Sequence, residues 1–272
     1  MSTPYNLGAD AAKVKPWTWD DKVTSPAWPN NAKIAVSFVI NYEESSEHTI
    51  INGDMHNETH LWEAPGGRPH AQERVCRLFR LFNKHDMKYT LYGVGMAFEK
   101  NPAVAKSSVE NGHDIASHAY RWIDYHSMSA EQEKEYIRKG IESIKEVSDG
   151  YPKGWYHGRL SPRSHALVDV PAEKDDPNPQ GMLMVPYSYD CNDYKFNVPT
   201  GFGAPMDFYD HVKGAFDVLY EEGSEGMPEM MTSGLHCRCI GKPARFAALK
   251  KFVEYIAAKF PYQKGKLAVP TS

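Results

Sequence analysis

Seven side chains able to move a proton, clamp an anion or hydrogen-bond a polar substrate recur at one kind of place in this sequence. Glu43 and Glu44 follow the apolar run 33–40 through Asn41-Tyr42, His118 ends the run 113–117, and Arg159 ends 154–158. Asn192 and Asp193 come shortly after the run 181–187, and His236 ends 229–235. Adjacent carboxylates raise one another's proton affinity, which suits a general base. Histidine titrates where a general acid must, and arginine polarises carbonyls and holds developing negative charge. One such residue alone reads as ordinary surface or packing chemistry, since glutamate is mostly exposed. Five strand ends all carrying such groups are hard to explain by packing, because buried polar groups need partners and buried charges need compensation. The pattern predicts an active site at the carboxyl edge of a parallel sheet, where α/β enzymes place their chemistry.

The elements that must position these groups alternate along the chain. The run 33–40 is rich in β-branched residues and reads as a strand buried on both faces. Val75, Leu78, Leu81 and Phe82 mark a helix over 73–85, followed by a strand at 88–94, a short helix at 102–110 and a strand at 113–118. Ser129 with Gln132 forms a capping-box start, and Ile137, Gly140, Ile141 and Ile144 give the helix after it one apolar face. Strands are expected at 154–159, 181–187 and 229–236, helices at 206–222 and 246–260, and a loop at 169–179. Repeated βα units without an internal linker predict one α/β domain, most simply a barrel. The expected layout is an extended leader over 1–30, a single barrel domain over 31–260 and an atypical tail over 261–272.

Composition is ordinary for a globular domain and carries no nucleic-acid or membrane footprint. The 272 residues are 41% hydrophobic, the formal net charge is −4, and no apolar run approaches the roughly 20 residues a membrane span needs. The first residues lack the basic start and apolar core of a secretory signal, so a cytoplasmic location is expected. Cys76, Cys191, Cys237 and Cys239 form no disulfide framework and are expected as thiols.

At these residues the chain resembles the polysaccharide deacetylase superfamily (carbohydrate esterase family 4), and within it the metal-independent allantoinase branch. The resemblance rests on NYEE at 41–44, GHDIASHAYRWIDY at 112–125, GWYHGRLSP at 154–162, VPYSYDCNDYKF at 185–196, AFDVLYEEG at 215–223 and GLHCR at 234–238. It implies a distorted, incomplete (β/α) barrel. The deacetylases proper bind a divalent metal through an aspartate after the first strand and an H-x3-H pair after the third. Here the acids are Glu43 and Glu44, and Trp122 stands four residues past His118, so the metal set is incomplete. His126 is the nearest replacement. The resemblance therefore implies no cofactor, with zinc as the alternative.

Without a metal, amide hydrolysis needs other means to activate water. The expected roles are Glu43 as base, Glu44 modulating it or binding substrate N–H groups, and His236 as acid for the leaving nitrogen. Arg159 and His118 are expected to polarise the carbonyl, Asn41, Asn192 and Asp193 to orient a ureide, and Trp122 and Tyr125 to wall the pocket. The activity implied is hydrolysis of a non-peptide C–N bond, opening the hydantoin ring of allantoin to allantoate in purine catabolism. The alternatives are a metal-dependent N-deacetylase of polysaccharides or chitin oligomers and a catalytically impaired binding relative. Compared with the family, the chain lacks a helical insertion before the Arg74 helix, a strand and loop between Leu167 and Gly181, and the usual last strand and helix. Open sheet edges of that kind invite pairing with another chain, so a homo-oligomer is expected alongside a small-molecule ureide partner.

Overall fold

The computed structural model describes residues 28–58, 68–148, 150–156, 159, 161–164, 167 and 187–259. Four parallel strands lie in the order β3-β2-β1-β4: β1 Ile34–Tyr42, β2 Thr90–Gly93, β3 Asp114–Ser117 and β4 Glu229–His236. The register sets Asn41 beside His236, Tyr42 beside Gly93, and Gly93 beside Ser117. The catalytic candidates thus leave the sheet at one level. Among the described residues each edge continues by one bridge, Ser117 to Trp155 on one side and Gly234 to Asn192 on the other. This is an incomplete, distorted barrel.

Between the strands run α1 Arg68–Lys84, α2 Gly95–Lys100, α3 Pro102–Glu110, α4 Ala130–Ser148 and α5 Pro205–Ser224, and after β4 follow α6 Cys237–Ile240 and α7 Pro243–Lys259. The capping box at α4 forms as expected: Ser129 N donates to Gln132 Oε1 (3.0 Å) and Gln132 N to Ser129 Oγ (3.2 Å). The six-residue α2 and four-residue α6 were not expected, because they are too short for a 3.6 period to show. Of the strand expected at 154–159, the described residues 154–156 and 159 form one bridge, at Trp155, while 157 and 158 lie outside the described residues. Main-chain bonds from Lys153 N to Ile115 O and Tyr156 N to Ser117 O, 2.8 and 2.9 Å, hold this short stretch along β3. Apart from Tyr187, the expected strand at 181–187 lies outside the described residues. So do the loop at 169–179, the tail at 261–272 and the leader up to residue 27. Among the described residues no helix is long and apolar enough to cross a membrane.

Side chains on a strand alternate between faces, and the alternation here sorts core from site. Phe38, Ile40 and Tyr42 of β1, Leu91 of β2, Ile115 of β3 and Met231 and Leu235 of β4 belong to the main core with Leu78, Phe82, Phe216, Leu249 and Phe252 from the helices. Phe38 meets the Phe82 ring edge-on at 5.0 Å, and truncating it to Ala would cost roughly 3–5 kcal/mol. The intervening positions, Asn41, Tyr92, Ala116, Gly234 and His236, share the opposite face. A Cβ at Gly234 would come within 2.2 Å of Tyr187 Oη and 2.5 Å of Asn192 Nδ2. Glycine there lets the Asn192 segment lie against β4, which brings Asp193 beside His236.

Candidate active site

Glu43 lies one residue past β1, in step with Val39 and Asn41, and so turns inward. Its Oε1 is 3.1 Å from His118 Nε2 and 3.7 Å from His236 Nε2. All three residues are buried. Its Oε2 accepts a hydrogen bond from Arg238 Nη2, and Arg238 Nη1 donates to Glu47 Oε1. Two tight left-handed turns follow these strand ends, at Ser45 (φ 61°) and Ala119 (φ 68°). Neither residue is glycine, so the conformations are costly and are held by their surroundings. Ala119 O accepts from Gly95 N and Tyr120 O from Met96 N, which pins that turn to the start of α2.

The ring nitrogens can be assigned from their partners. His118 Nδ1 sits 2.7 Å from the Tyr156 carbonyl oxygen, which can only accept, so Nδ1 carries the proton. Nε2 then turns a lone pair toward Glu43. Burial pushes this imidazole down to about 3, so it is neutral near pH 7. His236 Nδ1 donates to Asp193 Oδ1 at 2.6 Å, while Asp193 Oδ2 accepts from the main-chain N–H of His236 (2.8 Å) and Ile240 (3.0 Å). Asp193 is fully buried and locked by these three bonds, and it fixes the tautomer that presents Nε2 to Glu43.

The remaining candidates divide between wall and scaffold. Trp122 stacks on His118, ring centroids 4.3 Å apart, and the Arg159 guanidinium lies 5.3 Å over Trp122. Arg159 also pairs with Glu58, and its Nη1 is 4.0 Å from Asp124. It is thereby tied beside Trp122, with no contact to Glu43. Glu44, one residue out of phase with Glu43, acts on the other face. Its charge adds to burial in raising the Tyr42 phenol and the Cys237 thiol. Asn41 Nδ2 donates to Leu235 O (3.2 Å), bracing β1 against β4. Asn192 Oδ1 accepts from Tyr194 N (2.8 Å) and Nδ2 donates to Tyr187 Oη (2.8 Å), so it caps the turn that carries Asp193. Tyr125 is buried with Ala119 and Ile123 in a separate small cluster. Its hydroxyl accepts from the N–H of Tyr120 and Arg121. In this structure Glu44, Asn41, Asn192 and Tyr125 brace or border the site and do not line the Glu43–His118–His236 triangle.

Two residues in contact with the site were missed by sequence reasoning, Glu47 and Arg238. Burial pushes the Glu47 carboxyl up to about 7, and it shares one guanidinium with Glu43. The signal was present, since a buried acid needs a nearby cation and Arg238 stands two residues past His236. Arg121 extends the network: its guanidinium donates to Glu47 O (3.0 Å) and grips Asp54, whose carboxyl it holds down at about 2.

Comparison with known proteins gives consistent matches. The family model "Polysaccharide deacetylase" matches residues 67–164. A Schizosaccharomyces pombe protein named "Putative polysaccharide deacetylase" is 39% identical over 87% of this chain and 88% of its own. The solved structure of PuuE allantoinase is 34% identical, with TM-score 0.75 over 97% of this chain and 100% of the other. A "probable Polysaccharide deacetylase" from Pseudomonas aeruginosa PAO1 is also 34% identical with TM-score 0.75, over 88% of this chain and 96% of the other.

Proposed function

Since this chain belongs to the polysaccharide deacetylase family, hydrolases of C–N bonds, we propose that it opens a cyclic ureide, allantoin to allantoate, with its own side chains as acid and base. The observation that carries this reading is the contact of Glu43 Oε1 with both imidazole Nε2 atoms. An ionised Glu43 faces the His118 lone pair across 3.1 Å. A proton arriving on Oε1 from the attacking water turns that opposition into a hydrogen bond, so the pair is a better base than either group alone. His236 lies 3.7 Å from the same oxygen. When protonated, its ring is compensated by Asp193, and it can then hand a proton to the departing ring nitrogen. Trp122 and Arg159 form a flat wall next to His118 that suits a planar, carbonyl-rich ring. The similarity to PuuE allantoinase over almost the whole of both chains supports a ureide as substrate.

The test is a paired assay on the purified protein with allantoin and with N-acetylated chito-oligomers, each with and without chelator. Allantoin turnover that survives chelator is expected. Deacetylation that disappears with chelator would replace this reading with the metal-dependent one, and turnover of neither would leave a binding relative.

A further inference from the structure

We propose that the guanidinium of Arg238 is the built-in cation of this site, holding Glu43 ionised and oriented at the place where the family's sugar deacetylases use a divalent metal. The inference rests on Glu43 being the base. Arg238 enters from α6, immediately after β4, and its fork spans two acids: Nη2 on Glu43 and Nη1 on Glu47. Its side chain is only 10% exposed, and those of Glu43 and Glu47 only 2% and 7%. A charge-assisted fork in such a setting is strong and directional. Burial lowers the arginine to about 10, which still leaves it protonated at neutral pH.

The donors at the strand ends do not suit a divalent metal. A catalytic zinc needs three converging protein ligands and room for water. Both imidazoles do present Nε2 with Nδ1 held by an acceptor, as metal-binding histidines do. Both turn toward Glu43 Oε1, but these three donor atoms do not all lie within 4.8 Å of one another, so they are too spread to share one small ion. Among the described residues the donor atoms that all lie within 4.8 Å of one another belong to Asp190, Cys191 and His211, a group outside the site. At that second group the Lys195 ammonium already lies 3.4 Å from Asp190 Oδ1. At Glu43, a second cation would have to share a carboxylate that Arg238 occupies, while the indole of Trp122 covers the His118 face and offers no ligand.

Arg238 acts through Glu43 and is therefore a positioning residue. Its charge favours the Glu43 carboxylate, whereas Glu47 competes for the same fork. Removing the charge should raise the proton affinity of Glu43 and leave the base protonated over more of the pH range.

The deciding experiment compares the wild type with Arg238→Ala and Arg238→Lys. In Arg238→Ala, kcat is expected to fall about 10²-fold, and the acid limb of the pH profile to rise by about one unit or more. Millimolar guanidinium is expected to restore part of the rate, which no merely structural loss would allow. Arg238→Lys keeps the charge but reaches only one acid, so its limb should fall between the other two, and adding Glu47→Gln should bring it back toward wild type. Should the Ala variant not fold, this Lys pair decides. An unmoved limb in the folded variants would overturn the proposal, as would one divalent ion per chain that is lost on Glu43→Gln. Following the Glu43 carboxyl by carbon NMR in substrate-free protein separates the two failures. If allantoin is not turned over but the Glu43 titration moves with Arg238, only the ureide reading fails; a titration that ignores Arg238 sinks the cation.

Discussion

The ends of β3 and β4 carry the same residue in nearly the same pose and prepare it for different work. His118 and His236 each give up Nδ1–H to an oxygen and turn Nε2 toward one oxygen of Glu43. The difference lies behind the ring. His118 leans on the neutral carbonyl of Tyr156 under a stacked tryptophan, and burial keeps it unprotonated down to about 3. His236 leans on a carboxylate, Asp193, which offsets a positive ring. In this chain the two strand-end histidines differ in the one oxygen that a neighbouring segment sets behind each ring, and the histidine itself does not reveal it.

The largest effects should come from the atoms both rings address. Glu43→Gln keeps the shape and removes the base, so turnover should fall about 10²-fold or more with folding retained; His236→Ala should match it. Near-normal rates in both would show that the strand ends are not where the chemistry happens. Asp193→Asn should come next, with a loss of roughly tenfold to 10²-fold carried by kcat, because an amide can hold the wrong tautomer of His236. Replacing His118 by Asn should cost less than Asp193→Asn. If the order is reversed, the carbonyl-backed ring is the acid and the comparison inverts.

Much of this was legible in the sequence, and what was not has physical causes. The run 33–40, the capping box at Ser129 and the apolar stripe ending at α7 announce their elements, and the placement of Glu43, His118 and His236 after strands brings them to one sheet edge. The sequence puts Glu43 and Glu44 in one site; that they face opposite sides follows only from the phase of β1, since a shift of one residue moves a side chain to the other face. Asp193 reads as a substrate group by type, but its three bonds to the His236 and Ile240 segment depend on the close approach at Gly234. Arg238 stands two residues past the end of β4, but its pairing with Glu47 spans 191 residues, and that pairing is what no local pattern encodes.

The same contrast should appear in stability against pH. His118 is pushed from its ordinary 6.5 to about 3, so the folded state binds fewer protons than the unfolded chain between those values. Its contribution is complete above about 6.5 and is lost as pH falls toward 3. Glu47 is pushed from 4.5 to about 7, so the folded state holds its proton longer. That contribution is complete below about 4.5 and is lost as pH rises toward 7. In melting temperature followed across pH 3 to 8, His118→Asn should flatten the acid side and Glu47→Gln the neutral side. Both variants keeping the wild-type profile would mean that neither group is buried as described.

The smallest effect on activity is expected at Tyr125, and it sharpens the line between wall and scaffold. Trp122 touches His118 directly, whereas the Tyr125 hydroxyl accepts the N–H groups of Tyr120 and Arg121, at 3.3 and 3.4 Å, just beyond the strained turn at Ala119. Tyr125→Phe keeps the ring and removes the acceptor. Two main-chain donors lose their partner, at a cost on the order of 1 kcal/mol. The melting temperature should drop a few degrees while KM stays put, and Trp122→Ala should raise KM. A rise in KM for Tyr125→Phe with no change in melting would return Tyr125 to the pocket wall, where its sequence position had suggested it stands.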